Sequence, residues 1–252
     1  MIEDLKKKKL FIFGGLGLVG KGLEKECKKF FKKVIIIDIK QNKTKKDYFC
    51  IRKIAAKRSF ENEINRLIEK YGVPDVLINA SYPRSKDWAN INFKEISYNQ
   101  INENLELHLT NYIYINSKFA EMMKEKKIRG SIINLSSIYG IRSQDETIYK
   151  KTKVYFNPIY PSIKSAVNMN VKQIASFYGK HGIRCNSICP GGIINTSLAK
   201  KTLFIKNYLV KNPIKRFCTT KDIAYLSLFL SSNNSSYITG LNIPLDGGRM
   251  TI

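Results

Sequence analysis

The run Leu10-Phe11-Ile12-Phe13, followed at once by Gly14-Gly15-Leu16-Gly17-Leu18-Val19-Gly20, restricts this chain more than any other segment. Four apolar residues are long enough for a buried strand, and a glycine cluster breaks the chain sharply after them. Gly15, Gly17 and Gly20 fit G-x-G-x-x-G, with the strand before and a helical pattern after, as that motif requires. Glycines permit the tight turn and let backbone N–H groups and the helix N-terminus approach a pyrophosphate. The turn predicts a dinucleotide-binding crossover.

Downstream, short apolar runs alternate with longer helical patterns. Strands are predicted at Leu10–Phe13, Val34–Asp38, Tyr48–Ile51, Asp75–Asn79, Ser131–Leu135, Ile183–Ile188 and Ile238–Pro244. Helices are predicted at Gly17–Phe31, Phe60–Tyr71, Asn102–Lys127, Tyr160–Gly179 and Thr219–Ser231. Crossovers of this length give an α/β fold, a doubly wound (Rossmann) parallel sheet of about seven strands with helices on both faces. Ligands then bind at the carboxyl ends of the strands. No Pro/Gly/Ser-rich linker or internal repeat divides the 252 residues, so a single catalytic domain spanning 1–252 is expected.

The second strand, Val34-Ile35-Ile36-Ile37, ends in Asp38. A carboxylate there accepts hydrogen bonds from ribose hydroxyls and repels a 2′-phosphate, which favours NAD over NADP. Lys40 and Lys43 oppose that preference by partly offsetting the repulsion.

Net charge is +24, from 44 Lys and Arg against 20 Asp and Glu. A nucleic-acid or membrane surface is the usual reading of such an excess. Here the cations are spread along the chain among Ile and Asn, and the densest stretch, Lys40–Arg58, fits a solvated surface. No nucleic-acid partner is expected. Lys6–Lys9 before an apolar stretch mimics a secretory signal, but no small-x-small cleavage site follows. No apolar run approaches the ~20 residues of a membrane span. Five cysteines without a CxxC pair, and only two histidines, argue against a metal site. The thiols suit a reducing, cytoplasmic compartment.

Tyr160 and Lys164 lie one helical turn apart, on the same face. An ammonium there can lower a phenol's pKa and so equip it to move a proton. The same spacing recurs at Tyr82/Lys86, Tyr114/Lys118 and Tyr149/Lys153, where two solvated side chains explain it equally well. Context favours Tyr160. Pro158 breaks a helix begun at Tyr149, and Lys153 precedes the bulky Val154-Tyr155-Phe156 run. Pro161 suits a first helical position, and apolar residues then recur at helical spacing from Ile163 to Tyr178.

Taken together, these segments resemble the short-chain dehydrogenase/reductase family, over essentially the whole chain. Asp75-Val76-Leu77-Ile78-Asn79-Ala80 resembles its fourth-strand segment, and Asn134-Leu135-Ser136-Ser137 the strand end that carries a catalytic serine. Gly182-Ile183-Arg184-Cys185-Asn186 with Pro190-Gly191, and Tyr237-Ile238-Thr239-Gly240 with Asp246-Gly247-Gly248, match two further family runs. The resemblance implies that Tyr160 is the acid/base and that Ser137 hydrogen-bonds the reacting oxygen. It implies that Lys164 holds the nicotinamide ribose and lowers the Tyr160 pKa. Gly14, Gly15, Gly17, Gly20, Asp38, Asn79, Pro190 and Gly191 would frame the cofactor. A homodimer or homotetramer is implied as well.

The chain departs from the family pattern in places. Phe13 replaces the usual threonine, and Ala80-Ser81-Tyr82 alters the N-N-A-G motif. The gap from Ser137 to Tyr160 is longer than usual, and by spacing Tyr149 is the rival acid/base. The family's asparagine falls at His108 or Leu109, with Asn111 a turn away. These losses motivate an alternative, a catalytically weak dinucleotide-binding sensor or assembly protein. The segment Ser81–Trp88 and the insertion before Tyr160 resemble oxidoreductases of bacterial flagellin and surface-sugar modification. That implies a small-molecule substrate such as a sugar or sugar nucleotide, with Arg84 or Lys86 near its anionic part.

Overall fold

The computed structural model describes residues 2–42, 44–51, 57–152, 154, 157–195 and 198–252. Lys43, Lys153, Tyr155, Phe156 and part of the Lys40–Arg58 stretch lie outside them. Seven parallel strands form one sheet: β1 (Lys9–Phe13), β2 (Lys33–Asp38), β3 (Tyr48–Cys50), β4 (Val76–Asn79), β5 (Ser131–Leu135), β6 (Arg184–Pro190) and β7 (Asn242–Leu245). The helices are α1 (Leu18–Cys27), α2 (Lys57–Tyr71), α3 (Tyr98–Asn104), α4 (Asn111–Glu125), α5 (Ile159–Tyr178), α6 (Thr202–Val210) and α7 (Thr220–Ser231).

Strand order is β3-β2-β1-β4-β5-β6-β7. The chain first winds outward from β1 to β3, then crosses back to β4 and winds the other way. The order therefore reverses between β1 and β4, which leaves a crevice beyond their carboxyl ends. Phe13 pairs with both Ile37 and Asn79, and Asn79 with Asn134, so these strand ends are level.

Alternation along each strand sorts its side chains to opposite faces. Phe11, Phe13, Ile35, Ile37, Leu77 and Ile132 pack with Ile64, Phe119, Met123 and Val171 of α2, α4 and α5. Leu10, Ile12, Ile36, Val76, Ile78 and Ile133 pack with Leu23, Ile223 and Leu228 of α1 and α7. Burial on both faces explains why the strands read as continuous apolar runs. Pro244 is tolerated because β7 is an edge strand.

Several predicted boundaries move. The helix expected at Gly17–Phe31 ends at Cys27, where the chain turns toward β2. Ile238–Leu241 is not part of the last strand, because Gly240 takes a positive φ of 76° and re-aims the chain before Asn242. The helix expected at Asn102–Lys127 begins earlier and is interrupted. A π-helical stretch, Leu105–Thr110, separates α3 from α4. Such widened turns re-aim side chains and are frequent at functional sites. α6 has no counterpart among the predicted helices.

Candidate active site

A cleft of about 680 Å³ opens along the carboxyl ends of the strands. At one end the turn after β1 is held by Gly14 N and Gly15 N, which donate to Ile37 O at 2.8 and 3.2 Å. Gly14 has a φ of 71°, and a Cβ there would lie 2.6 Å from the Ser81 backbone. A Cβ on Gly20 would lie 2.2 Å from Gly14 O. Gly14, Gly17, Leu18 and Val19 line the cleft, while Gly15 and Gly20 pack beneath it. Gly17 is the N-cap of α1 and provides no side-chain cap, so the helix end faces the cleft through its backbone.

Asp38 also lines this end. Its carboxylate accepts from Leu16 N at 2.9 Å and from Lys40 N at 3.1 Å, which fixes its direction and leaves lone pairs for a ligand. Of the neighbouring cations, Lys45 is tied to Glu24 and Lys33 to Asp47, whereas Lys40 reaches the cleft. Asn79 does not line the cleft. It is fully buried, and its Oδ1 accepts from Ser81 N at 3.2 Å and Ser81 Oγ at 2.6 Å, fixing the wall from behind. Pro190, the last residue of β6, and Gly191 form the facing wall.

At the other end the structure brings Ser137, Tyr160 and Lys164 together. Ser137, just past β5, has extended backbone, and its Oγ accepts from Tyr139 N at 3.1 Å. The Ser137 hydroxyl stands near the Tyr160 phenol and favours its ionised form. Tyr160 and Lys164 occupy the first turns of α5, whose start is fixed by Asn157, a residue outside the expected site. Asn157 Oδ1 accepts from Ile159 N at 2.9 Å and Tyr160 N at 3.3 Å. The helix thus begins at Ile159, and Pro161 is its third residue instead of its first. Asn before Pro is a recognisable helix-start signal, so Asn157 was findable. Gly140 lets the turn after β5 approach α5, since a Cβ there would meet the Lys164 backbone at 2.7 Å.

Lys164 is buried, and its Nζ donates to Leu135 O at 2.9 Å and lies 3.1 Å from His108 Nε2. Burial pushes its amine down to about 7. Burial also pushes the Tyr160 phenol up, with Tyr82 adding to the rise and Ser137 opposing it. The expected lowering of Tyr160 by Lys164 is therefore absent in the protein alone. By the pH at which the phenol ionises, an amine titrating near 7 is already neutral and offers no charge.

The rival Tyr149 is not among the residues lining the cleft. It lies off α5, packs on Phe204 with centroids 5.6 Å apart, and accepts from Gln144 Nε2 at 2.9 Å. Of the candidates for the asparagine position, His108 faces Lys164. Leu109 packs with the Trp88 cluster, and Asn111 lines the cleft with its Nδ2 donating to Leu107 O at 2.6 Å.

Above Tyr160 stands an aromatic wall. The Tyr82, Trp88 and Tyr139 rings meet the Tyr160 ring edge-on at 6.0, 6.1 and 6.5 Å. Trp88 Nε1 donates to Tyr82 OH at 3.0 Å, and the Arg84 guanidinium lies 5.3 Å from the Tyr82 ring centre. The loop is pinned through Ser85 N to Asn104 Oδ1 (3.0 Å), Gln100 Nε2 to Asp87 Oδ2 (2.5 Å) and Asn157 Nδ2 to Trp88 O (3.1 Å). Arg84 reaches the cleft; Lys86 is exposed and is not part of the lining.

This geometry agrees with what the chain is similar to. The family described as Enoyl-(Acyl carrier protein) reductase matches residues 38–250. Post-translational flagellin modification protein A of Campylobacter coli is 33% identical, over 97% of this chain and 98% of that one. The chain belongs to the short-chain dehydrogenase/reductase family. Dehydrogenase/reductase SDR family member 6 of Aquarana catesbeiana is 30% identical over 54% of each chain. A short chain dehydrogenase from Leptospira borgpetersenii serovar Hardjo-bovis, solved with bound NAD+, superposes with a TM-score of 0.83 at 28% identity. That match covers 96% of this chain and 92% of the other. The seven-stranded doubly wound fold and the oxidoreductase class follow from this membership.

Proposed function

We propose that residues 1–252 form one catalytic unit, an NAD-dependent enzyme that interconverts a secondary alcohol and a ketone on a sugar or sugar nucleotide. The pathway we infer is modification of flagellin or another bacterial surface glycan. One observation carries the reading: the glycine turn with Asp38 and the Ser137–Tyr160–Lys164 group occupy opposite ends of the same cleft. The glycine cradle, the backbone end of α1 and the Asp38 carboxylate fit a dinucleotide without a 2′-phosphate. Gly14 and Gly17 would face the pyrophosphate with Gly15 and Gly20 keeping the turn tight beneath it, Asp38 would hold the adenosine ribose and Lys164 the nicotinamide ribose, and Pro190-Gly191 would form the far wall, with Asn79 supporting from behind. Bound NAD supplies the hydride acceptor or donor.

The protein's own part is proton management. Tyr160 gives its phenolic proton to the forming alkoxide, or takes one from the alcohol, while Ser137 Oγ donates to the same oxygen. Because burial keeps the phenol protonated, Tyr160 starts as an acid and needs an added positive charge beside it to act as a base. The aromatic wall offers ring faces to the C–H face of a sugar, and Arg84 offers a cation to a phosphate or carboxylate. The flagellin-modification relative supports the substrate class. Five free thiols suit a cytoplasmic enzyme, and we place it there as a homodimer or homotetramer with no nucleic-acid or membrane partner.

The test is a panel of UDP- and CMP-linked sugars with NAD+, read at the NADH absorbance band. Turnover is expected on at least one. Tyr160→Phe then lowers it by about 10²–10⁴ while NAD+ affinity, by calorimetry, stays near wild type. Tyr149→Phe keeps most of the rate. An inactive Tyr149→Phe beside an active Tyr160→Phe would overturn the assignment.

A further inference from the structure

Lys164 is a buried cation in an unusual setting. Among the described residues no carboxylate pairs with it. Its Nζ has two neighbours of acceptor type, the Leu135 carbonyl at 2.9 Å and His108 Nε2 at 3.1 Å. While Lys164 is charged its ammonium carries no lone pair, so across that short gap Nε2 is the acceptor and the imidazole proton sits on Nδ1. His108 is fully buried, and its Nδ1 has no hydrogen-bond partner. Burial first, and then the Lys164 charge, hold its pKa well below 6.5, so the ring stays neutral and able to accept. The other titratable groups around the pair are phenols and a thiol. Tyr82 and Tyr112 pack on the imidazole, at centroid distances of 5.4 and 5.3 Å. The Tyr160 ring centre lies 5.9 Å from Nζ, and Cys189 acts on Lys164 from β6.

The π-helical turn that carries His108 supplies a reason for itself. It interrupts the helix between α3 and α4 where a buried side chain must reach α5. A buried ring nitrogen without a hydrogen-bond partner is costly, and Nδ1 is one, while the other nitrogen of the same ring meets Lys164. The site keeps the histidine despite that cost.

We propose that His108 is the positioning residue for Lys164: a neutral, Nδ1-protonated imidazole whose Nε2 accepts from Nζ, fixing the amine's direction and its proton affinity. The role rests on the reading of Lys164 as part of the cofactor and proton-transfer site. It differs from support by water or backbone because the partner is a side chain that substitution can change.

The chain holds only two histidines, His108 and His181, so [15N]histidine labelling of the full protein gives a readable spectrum. His181→Gln separates the two. His108 is expected as the Nδ1–H tautomer, with an Nε2 resonance that moves near pH 7 as Lys164 loses its proton. That movement disappears in Lys164→Met. Followed by [13Cε]lysine labelling, His108→Phe lowers the Lys164 midpoint by about one pH unit, and His108→Gln, whose amide oxygen still accepts, returns it toward wild type. An Nε2–H tautomer, or identical midpoints in wild type, Phe and Gln variants, overturns the proposal. Should His108→Phe fail to fold, the tautomer and the Gln variant still decide it. Added NAD+ should shift the Lys164 resonance. No shift alongside an Nδ1–H tautomer would sink the cofactor reading and leave the His108 role standing.

Discussion

Lys164 concentrates the residue-scale physics of this protein. Its side chain is 2% exposed, and removal from water lowers its pKa from 10.5 to about 7. The folded state therefore binds fewer protons than the unfolded state between those two values, and stability rises with pH across that window. Below about pH 7 both states are protonated and the burial penalty is present in full. The shift corresponds to about 5 kcal/mol across the window. Lys164→Met, which keeps the length and drops the charge, should be more stable than wild type at pH 6, with the advantage shrinking toward pH 10 in urea titrations. A constant difference across that range would show that the amine is not desolvated as described. At this scale the sequence was partly legible. Helical spacing put Tyr160 and Lys164 on one face, and Pro158 set Tyr149 apart. Tyr139, the Trp88 contact and the choice of His108 over Leu109 were hidden, because each depends on packing between segments far apart in the chain.

Strands were the most readable elements, since burial on both faces leaves little but Ile, Leu, Val and Phe in them. Misreadings came where apolar content did not mean strand or where periodicity was broken. Ile238 and Leu241 are apolar but flank a glycine turn. α6 is largely apolar, with Leu203 and Val210 exposed, so no amphipathic face announces it. The π-helical stretch leaves no mark in a 3.6-residue pattern. The start of α5, at Ile159, lies one residue before the expected Tyr160 and is legible in Asn157-Pro158. Asn157 caps α5 and also holds the Trp88 carbonyl, so it ties the acid/base helix to the aromatic wall. Asn157→Ala should cost about 1–2 kcal/mol, or a fall in Tm of roughly 2–8 °C for a chain of this size. Asn157→Asp, which keeps the acceptor, should recover most of it. An unchanged Tm in the alanine variant would remove the cap from the account.

At the scale of the whole molecule, one sheet reversal creates the cleft, and every strand end on its floor contributes to it. The +24 charge, the loudest feature of the composition, has little to do with that architecture. Its cations are scattered, and several are tied to nearby carboxylates, as with Lys28 and Lys45 on Glu24. The central claim is that this cleft takes NAD(H) with its preference set by Asp38. Trp88 is the sole tryptophan, and its ring centre stands 6.1 Å from that of Tyr160, which lines the cleft, so its emission reports on the cleft through that contact. Titration of the wild-type protein with NADH, followed by quenching of Trp88, should be saturable. NADPH should bind more weakly by about tenfold or more, a difference of ~1.4 kcal/mol that Asp38→Ala narrows. Absence of quenching by either cofactor, or an NADPH preference that survives Asp38→Ala, would contradict it.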